Sequence, residues 1–207
     1  MKVAVVGGTG PFGRALAFRL REAGHEVTIG SRSTHRAREV ASEFGVSGAA
    51  NADAVDGAEV VVFAVNADAV LDTARELAGA LDDRTVLSVA SELRFSNKGV
   101  YPGPDEMSLA ERIAGIVSGP VVAGLHSLAA QSLGEGEPPE QDALICGDDA
   151  EAKRVVLELA GGLVRGRAVD AGPLAGARAL EGLTAVIVNI NRRYRAHAGL
   201  RVTGLRR

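Results

Sequence analysis

Three short apolar runs rich in β-branched residues punctuate the first third of the chain: Val3 to Val6, Val27 to Ile29, and Val60 to Val65, each bounded by Gly, Asn or Ser. Unbroken apolar runs of this length fit strands buried on both faces of a parallel sheet. Between the first two the period changes. Phe12 to Ala23 sets Ala15, Leu16, Phe18, Leu20 and Ala23 among Arg14, Arg19, Arg21 and Glu22 and stops at Gly24, which predicts a helix with a glycine stop. His35 to Phe44 repeats the pattern before Gly45, and Ala67 to Leu81 follows the third run with Ala, Val and Leu on one face. Further strands are expected at Thr85 to Val89, Val121 to Gly124, Ala143 to Cys146 and Ala168 to Ala171. Ala150 to Leu163 reads as a helix, and Leu174 to about His197 as a long, mainly helical stretch. Arg94 to Pro104 and Gly134 to Gln141 read as surface loops from their Gly, Pro and polar content.

Such alternation implies right-handed βαβ crossovers and an α/β fold, a doubly wound, mainly parallel sheet of the Rossmann NAD(P)-binding type with a small C-terminal α/β portion. Residues 1–142 form the expected NADP-binding domain, and 143–207 the small portion that closes the cofactor cleft. With 207 residues, 46% hydrophobic and 24% charged, the chain can bury a substantial core. A net charge of -3 and a pI near 5.8 argue against nucleic acid or an anionic membrane as a partner. Cys146 is the one cysteine, so no intrachain disulfide can form and a cytoplasmic location is expected. The opening run Met1 to Val6 is too short for a signal sequence or a membrane span.

The first strand leads into Gly8-Thr9-Gly10-Pro11-Phe12-Gly13 at the start of a helix. Gly8, Gly10 and Gly13 satisfy GxGxxG in the context its physics requires. The first glycine permits the tight turn, the second lets backbone approach a pyrophosphate, and the third lets helix pack on strand. Helix N-terminal amides then face the phosphate charge. Thr9 adds a hydroxyl donor, whereas Pro11 removes an amide and leaves Phe12 and Gly13 to supply more of the contact. The end of the second strand selects the dinucleotide. An NAD site usually places Asp or Glu there, to accept from the ribose 2′-OH. This chain reads Ile29-Gly30-Ser31-Arg32-Ser33-Thr34-His35-Arg36, with no carboxylate. The Ser31 hydroxyl and the planar fork of Arg32 can donate to a 2′-phosphate, with Arg36 a helical turn on, so NADP(H) is the expected dinucleotide.

The other strand ends, Val65-Asn66-Ala67, Ser88 to Ser91 and Gly124 to Ser127, carry no Ser-His-Asp order, no metal-ligand spacing and no YxxxK pair. No acid, base or nucleophile is assigned. His126 is the one ionisable side chain at a strand end, a positioning or merely structural histidine.

Taken together, these residues resemble the NADPH-dependent reductases of the deazaflavin coenzyme F-420 (F420), the F420:NADP oxidoreductases. The resemblance rests on Val5-Val6-Gly7-Gly8-Thr9-Gly10 with Gly13, Gly24-His25-Glu26-Val27, Gly30-Ser31-Arg32, Leu125-His126, Cys146-Gly147-Asp148-Asp149, and Asp170-Ala171-Gly172-Pro173-Leu174 running on to Glu181, Leu183-Thr184 and Asn189. It implies reversible hydride transfer between NADPH and F420, the two rings stacked in a cleft between the Rossmann core and the C-terminal portion. It also implies a 2′-phosphate site at Thr9, Ser31, Arg32 and Arg36, with the loops around Ala67, Ser91 and Ala130 flanking the nicotinamide or deazaflavin. Because both partners carry hydride, positioning does most of the catalysis. Val65-Asn66-Ala67 and Ser88 to Glu92 depart from the proline-containing family pattern on the acceptor side. An NADPH-dependent reductase of another small acceptor and a non-enzymatic NADP(H)-binding redox sensor are therefore the alternatives. The remaining features have plainer readings. Cys146 reads as a buried apolar residue and Gly147-Asp148-Asp149 as a cap for the next helix. Arg178 and Glu181 can pair three residues apart, and the basic tail Arg192 to Arg207 reads as a solvated terminus. Leu180, Leu183, Ile187 and Ile190 suit either core or a homodimer interface.

Overall fold

A computed structural model describes residues 1–134 and 136–205. Ten strands and eight helices alternate along it. β1 (Lys2–Val6), α1 (Pro11–Glu22), β2 (Glu26–Ser31), α2 (Thr34–Phe44), β3 (Ser47–Ala50), α3 (Asn51–Val55), β4 (Val60–Phe63), α4 (Ala67–Leu81) and β5 (Thr85–Ser88) make up the first half. A hairpin of β6 (Leu93–Ser96) and β7 (Gly99–Pro102) follows, then α5 (Leu109–Ala114), β8 (Val121–Gly124), α6 (Ala130–Gly134), β9 (Ala143–Gly147), α7 (Ala150–Gly161), β10 (Ala168–Asp170) and α8 (Ala177–Tyr194).

Eight strands form one sheet in the order β10-β9-β8-β5-β4-β1-β2-β3. The six from β8 to β3 run parallel to one another, while β9, antiparallel to its neighbour β8, and β10, parallel to β9, run the opposite way. The expected boundary at 142/143 falls just before β9, and the C-terminal portion continues the same sheet.

The unbroken apolar runs have a direct cause in this arrangement. Val3 and Val5 of β1, with Val60 and Val62 of β4, pack under α1 and α7 through Leu16, Leu20 and Leu159. Ala4, Val6, Val61 and Phe63 point the other way, onto Val70 and Leu77 of α4, Ile113 of α5 and Leu180 of α8. Successive side chains on a strand alternate faces, so a strand covered on both sides needs apolar residues at every position. Full burial of side chains such as Phe63 and Leu16 contributes about 1.5–3 kcal/mol each.

Where a loop was expected from Arg94 to Pro104, the chain forms the β6–β7 hairpin. Of its eight strand residues only Val100 is buried, so no alternating apolar pattern announces it. What holds it is α8. The Asn189 amide accepts from Val100 N at 2.9 Å and donates to Val100 O at 2.7 Å, substituting for a neighbouring strand. β3, α3 and α6 were likewise without a signal, being short and rich in small residues; α5 does carry one, the Ser108–Glu111 capping box at its start. Beyond α8, the fully buried Asp142 accepts from Val202 N at 2.8 Å and its own N–H donates to Leu200 O at 2.7 Å, tying down the C-terminal segment. Arg206 and Arg207 of the expected basic tail lie outside the described residues. Among the described residues no helix is long and apolar enough to cross a membrane.

Candidate active site

The strand order reverses at β1, whose two neighbours β2 and β4 lead in opposite directions along the sheet. Ligands of open α/β sheets bind beyond the carboxyl ends of strands at such a point, and here the glycine turn occupies it. The division of labour among its glycines differs from expectation. Gly7, not Gly8, takes the left-handed conformation of the turn, at φ +79, and a Cβ on it would stand 2.7 Å from the Ala64 carbonyl oxygen. Gly8 instead allows close packing, its missing Cβ lying 2.8 Å from Val5 O and 2.9 Å from the Ile29 side chain. Gly13 serves helix-to-strand packing as expected, since a Cβ would meet Gly7 O and Gly8 Cα at 2.7 Å. At Gly10 the nearest such atom is 3.5 Å away, so space beside its backbone is open.

Pro11 finds its reason here too. It sits at the first position of α1, with Gly10 as the cap, where an N–H would have no intrahelical partner and a φ fixed near -65° suits the helix. Arg14 N donates to Gly10 O, so the Phe12 and Gly13 amides remain as the helix donors facing the turn.

Thr9, Gly10, Ser31 and Arg32 are brought together in one cleft of about 200 Å³ with Gly7, Asn51, Val65, Asn66 and Thr73. The Ser31 hydroxyl accepts from Ser33 N at 3.3 Å, and the Ser33 hydroxyl caps α2 by accepting from Arg36 N at 3.3 Å. Arg32 is exposed at the cleft rim and forms no ion pair among the described residues. Arg36 does not line the cleft; its guanidinium points along α2, 3.9 Å from the Glu39 carboxylate. Asn51 was not anticipated. Its Oδ1 is buried with no hydrogen-bond partner among the described residues and lies 3.0 Å from where a Gly30 Cβ would stand. Neither it nor Thr73 belongs to a motif that sequence could show.

Ser91, after β5, and His126, after β8, are brought together through α8. Thr184 Oγ1 donates to His126 O at 3.0 Å, and Ser91 Oγ lies 2.8 Å from Thr184 Oγ1. A hydroxyl has one proton, so the Ser91 hydroxyl donates to that of Thr184. His126 Nε2 lies 3.2 Å from Ala90 O and must carry the proton of that bond, because a carbonyl only accepts. Nδ1 then presents a lone pair, buried and without a partner among the described residues. Burial pushes the imidazole down to about 4, against the opposing Ala90 hydrogen bond, so His126 is neutral near pH 7 and donates no proton there. Its carbonyl follows Leu125, a non-glycine residue held at φ +65. Ala67 opens α4 and Ala130 opens α6, both half-buried and outside the dinucleotide cleft.

The whole chain has relatives. The sequence pattern described as NADP oxidoreductase coenzyme F420-dependent matches residues 2–92. An F420-dependent NADP reductase of Methanothermobacter thermautotrophicus is 35% identical over 99% of this chain and 96% of its own. One from Methanocaldococcus jannaschii is 31% identical over 99% of both chains. This chain belongs to the F420-dependent NADP reductase family. A crystal structure from Arthrobacter sp. FB24, solved as a candidate member, superposes with a TM-score of 0.86 at 28% identity, covering 99% of this chain and 100% of the other.

Two stretches of the family resemblance far apart in sequence meet in this reductase. Leu174 N donates to Asp148 Oδ1 at 2.9 Å, Gly147 N to Gly172 O at 3.1 Å, and the Cys146 thiol to Ala171 O at 3.6 Å. Asp149 caps α7 by accepting from Ala152 N at 2.7 Å. Cys146 is buried, and burial raises its thiol pKa, so it packs rather than reacts. Together these contacts fix the entry of α8, which carries Thr184. The expected Arg178–Glu181 pair does not form. Arg178 donates to the carbonyls of Asp105 and Gly103, at 2.8 and 2.6 Å, while Glu181 turns inward and accepts from Ala110 N at 3.3 Å. Burial pushes the Glu181 carboxyl up to about 7.

Proposed function

We propose that this protein transfers hydride reversibly between NADPH and the deazaflavin of coenzyme F420. Arg32 carries the dinucleotide half of the reading: a guanidinium with no acidic partner among the described residues, on the rim of a cleft shared with Thr9, Gly10 and Ser31, where an NAD site would present a carboxylate. Thr9, Ser31 and Arg32 would hold the 2′-phosphate, with Arg36 reaching it only by leaving Glu39. Gly8, Gly10, Pro11, Phe12 and Gly13 would shape the pyrophosphate cradle. The full-length similarity to F420-dependent NADP reductases supports the deazaflavin as acceptor.

In the reaction the nicotinamide C4–H bond breaks with its electron pair, a C–H bond forms on the deazaflavin ring, and a solvent proton completes its reduction. The chain's task is to orient two rings, which can account for a large share of the barrier without an acid or base. Ser91, Thr184 and the His126 carbonyl form one hydrogen-bonded series that fixes the loops after β5 and β8 against α8. Neutral His126, bonded to Ala90 O, would be a positioning residue. Ala67 and Ala130, at helix starts, would flank the rings, and residues 143–207 would close the cleft through α8. We also place the protein in the cytoplasm, as a homodimer through Val186, Ile190 and Tyr194, which lie exposed at spacings of four on α8, whereas Leu180 and Ile187 are core.

The test is stopped-flow mixing of the purified protein with NADPH and oxidised F420, following both chromophores. Matched loss of NADPH and oxidised deazaflavin is expected. NADPH binding without turnover of F420, alongside turnover of an imine or quinone, would transfer the reading to another acceptor.

A further inference from the structure

Among the described residues Arg19 is the one arginine that is buried, with 4% of its surface exposed. It lies on the face of α1 that also buries Leu16 and Leu20. An apolar side chain would fill that space without the desolvation that burying a cation costs, so packing alone does not explain a guanidinium there. Its hydrogen bonds do. Nε donates to Leu133 O at 3.0 Å, and Nη1 and Nη2 both donate to Gly136 O at 3.1 Å. These carbonyls lie at the end of α6 and in the turn beyond it, 114 and 117 residues away in sequence. With five residues, α6 is far below the length of about 12–15 residues at which an isolated helix becomes even marginally stable, and its last carbonyls have no partner within the helix. The guanidinium supplies donors there and sets a positive charge at the negative end of the helix dipole.

The same segment is tied at its other end. Thr184 Oγ1 on α8 donates to His126 O at 3.0 Å. Between the ties the backbone is wound into turns: Leu128 N donates to Leu125 O at 3.0 Å, and Ser132 N and Leu133 N donate to Ala129 O at 3.0 and 3.2 Å. Leu128 and Leu133 anchor it in the core. Ala130 therefore stands on a short strap held by α8 at one end and by α1 at the other. Arg19 follows Gly10, the cap of α1, by nine residues, about 14 Å along the helix axis. A single helix thus begins at the glycine turn and, further along, grips the segment that carries Ala130.

We propose that Arg19 is a positioning residue for hydride transfer: from α1 it fixes the Ala130 strap relative to the dinucleotide, and so sets the approach of the two rings. The proposal rests on the hydride-transfer reading above. The pyrophosphate cradle at the start of α1 locates the nicotinamide, and Arg19 locates the wall beside it from the same helix. A group that sets ring geometry without touching either ligand acts on the hydride step and leaves dinucleotide affinity alone.

The test is Arg19→Met, which keeps the bulk of the side-chain stem and removes every donor, with Arg19→Lys, which keeps one nitrogen. In single-turnover stopped flow at saturating NADPH and oxidised F420, the hydride step of Arg19→Met is expected to slow roughly 10- to 100-fold, the scale of a misplacement of about 1 Å, with the Kd of NADPH unchanged. Arg19→Lys should fall between Arg19→Met and wild type. Methylguanidinium added to Arg19→Ala should restore part of the lost rate, because it can donate to the same two carbonyls. Amide exchange should quicken in Arg19→Met across residues 125–136 and stay as in wild type along the first turns of α1. A hydride step at the wild-type rate in Arg19→Met overturns the proposal. So does a loss of rate that travels with an equal loss of NADPH affinity and with faster exchange along α1, the mark of a merely structural side chain. Should Arg19→Met fail to fold, Arg19→Lys is judged on the same criteria. A wild-type protein that binds NADPH and leaves F420 oxidised would refute the hydride reading instead, and the exchange comparison would still decide whether Arg19 holds the strap.

Discussion

Replacing Arg32 by alanine isolates the choice between NADPH and NADH. Arg32 stands exposed at the rim of the cleft and forms no ion pair among the described residues, so its loss breaks nothing within the protein and melting should be unchanged. A guanidinium bonding a phosphate makes a charge-assisted contact, worth about 1.5–3 kcal/mol where shielded and less where water screens it. The rim position favours the lower half of that range, about 1.5–2.2 kcal/mol, which converts to a roughly 10- to 40-fold rise in the Kd of NADPH. NADH lacks the 2′-phosphate and should bind wild type and Arg32→Ala alike. Arg36→Ala should cost only about 2- to 5-fold, because Arg36 lies outside the cleft and already faces Glu39 at 3.9 Å. The assay is fluorescence titration of both dinucleotides at low and high salt, the NADPH difference shrinking as salt screens it. Equal losses for NADPH and NADH, or an Arg36→Ala effect exceeding that of Arg32→Ala, would refute the assignment.

Two glycines of the turn should separate folding from binding. Gly13→Ala places a Cβ 2.7 Å from backbone atoms of Gly7 and Gly8 and should destabilise the fold by about 1–3 kcal/mol, visible as a lowered Tm. Gly10→Ala meets nothing closer than 3.5 Å, so it should melt as wild type while losing dinucleotide affinity; the reverse pattern would contradict this division between packing and binding glycines. His126 and Glu181 should bend the pH dependence of stability in opposite directions. His126 titrates near 4 when folded, against an ordinary value of 6.5, so the unfolded chain binds more protons between those values and stability rises with pH across that window. Glu181 titrates near 7 when folded, against an ordinary 4.5, so the folded chain binds more protons there and stability falls as pH rises from 4.5 to 7. Each contribution is on the order of 3 kcal/mol, and they offset between pH 4.5 and 6.5. In that interval, denaturant melts of Glu181→Gln should show stability rising with pH and of His126→Gln falling; parallel slopes in the two variants would contradict the reading.

Sequence periodicity exposed the parallel sheet because strands such as β1 and β4 are covered on both faces and so need apolar residues at every position. It missed the β6–β7 hairpin for the complementary reason: its order comes from Asn189, some ninety residues away, and a pattern of local burial cannot register a distant amide. The Arg178–Glu181 spacing suggested a helical ion pair. Whether a residue on α8 points to solvent or to the core depends on what packs against that helix, and α5 draws Glu181 inward.

By itself the sequence determined the alternating α/β order, the glycine turn after β1, the absence of a carboxylate after β2 and the stretches shared with a family of hydride-transferring reductases. These are local: caps, turn conformations and side-chain periods act within a few residues and leave their mark in the letters. The tertiary structure decided which glycine carries the turn, that Asn51 and Thr73 reach the cleft, that Ser91, Thr184 and the His126 carbonyl join in one series, and that Arg19 reaches the carbonyls of Leu133 and Gly136. Each of these depends on sheet order and helix packing. Contacts between residues many tens of positions apart exist only once the strands have found their neighbours.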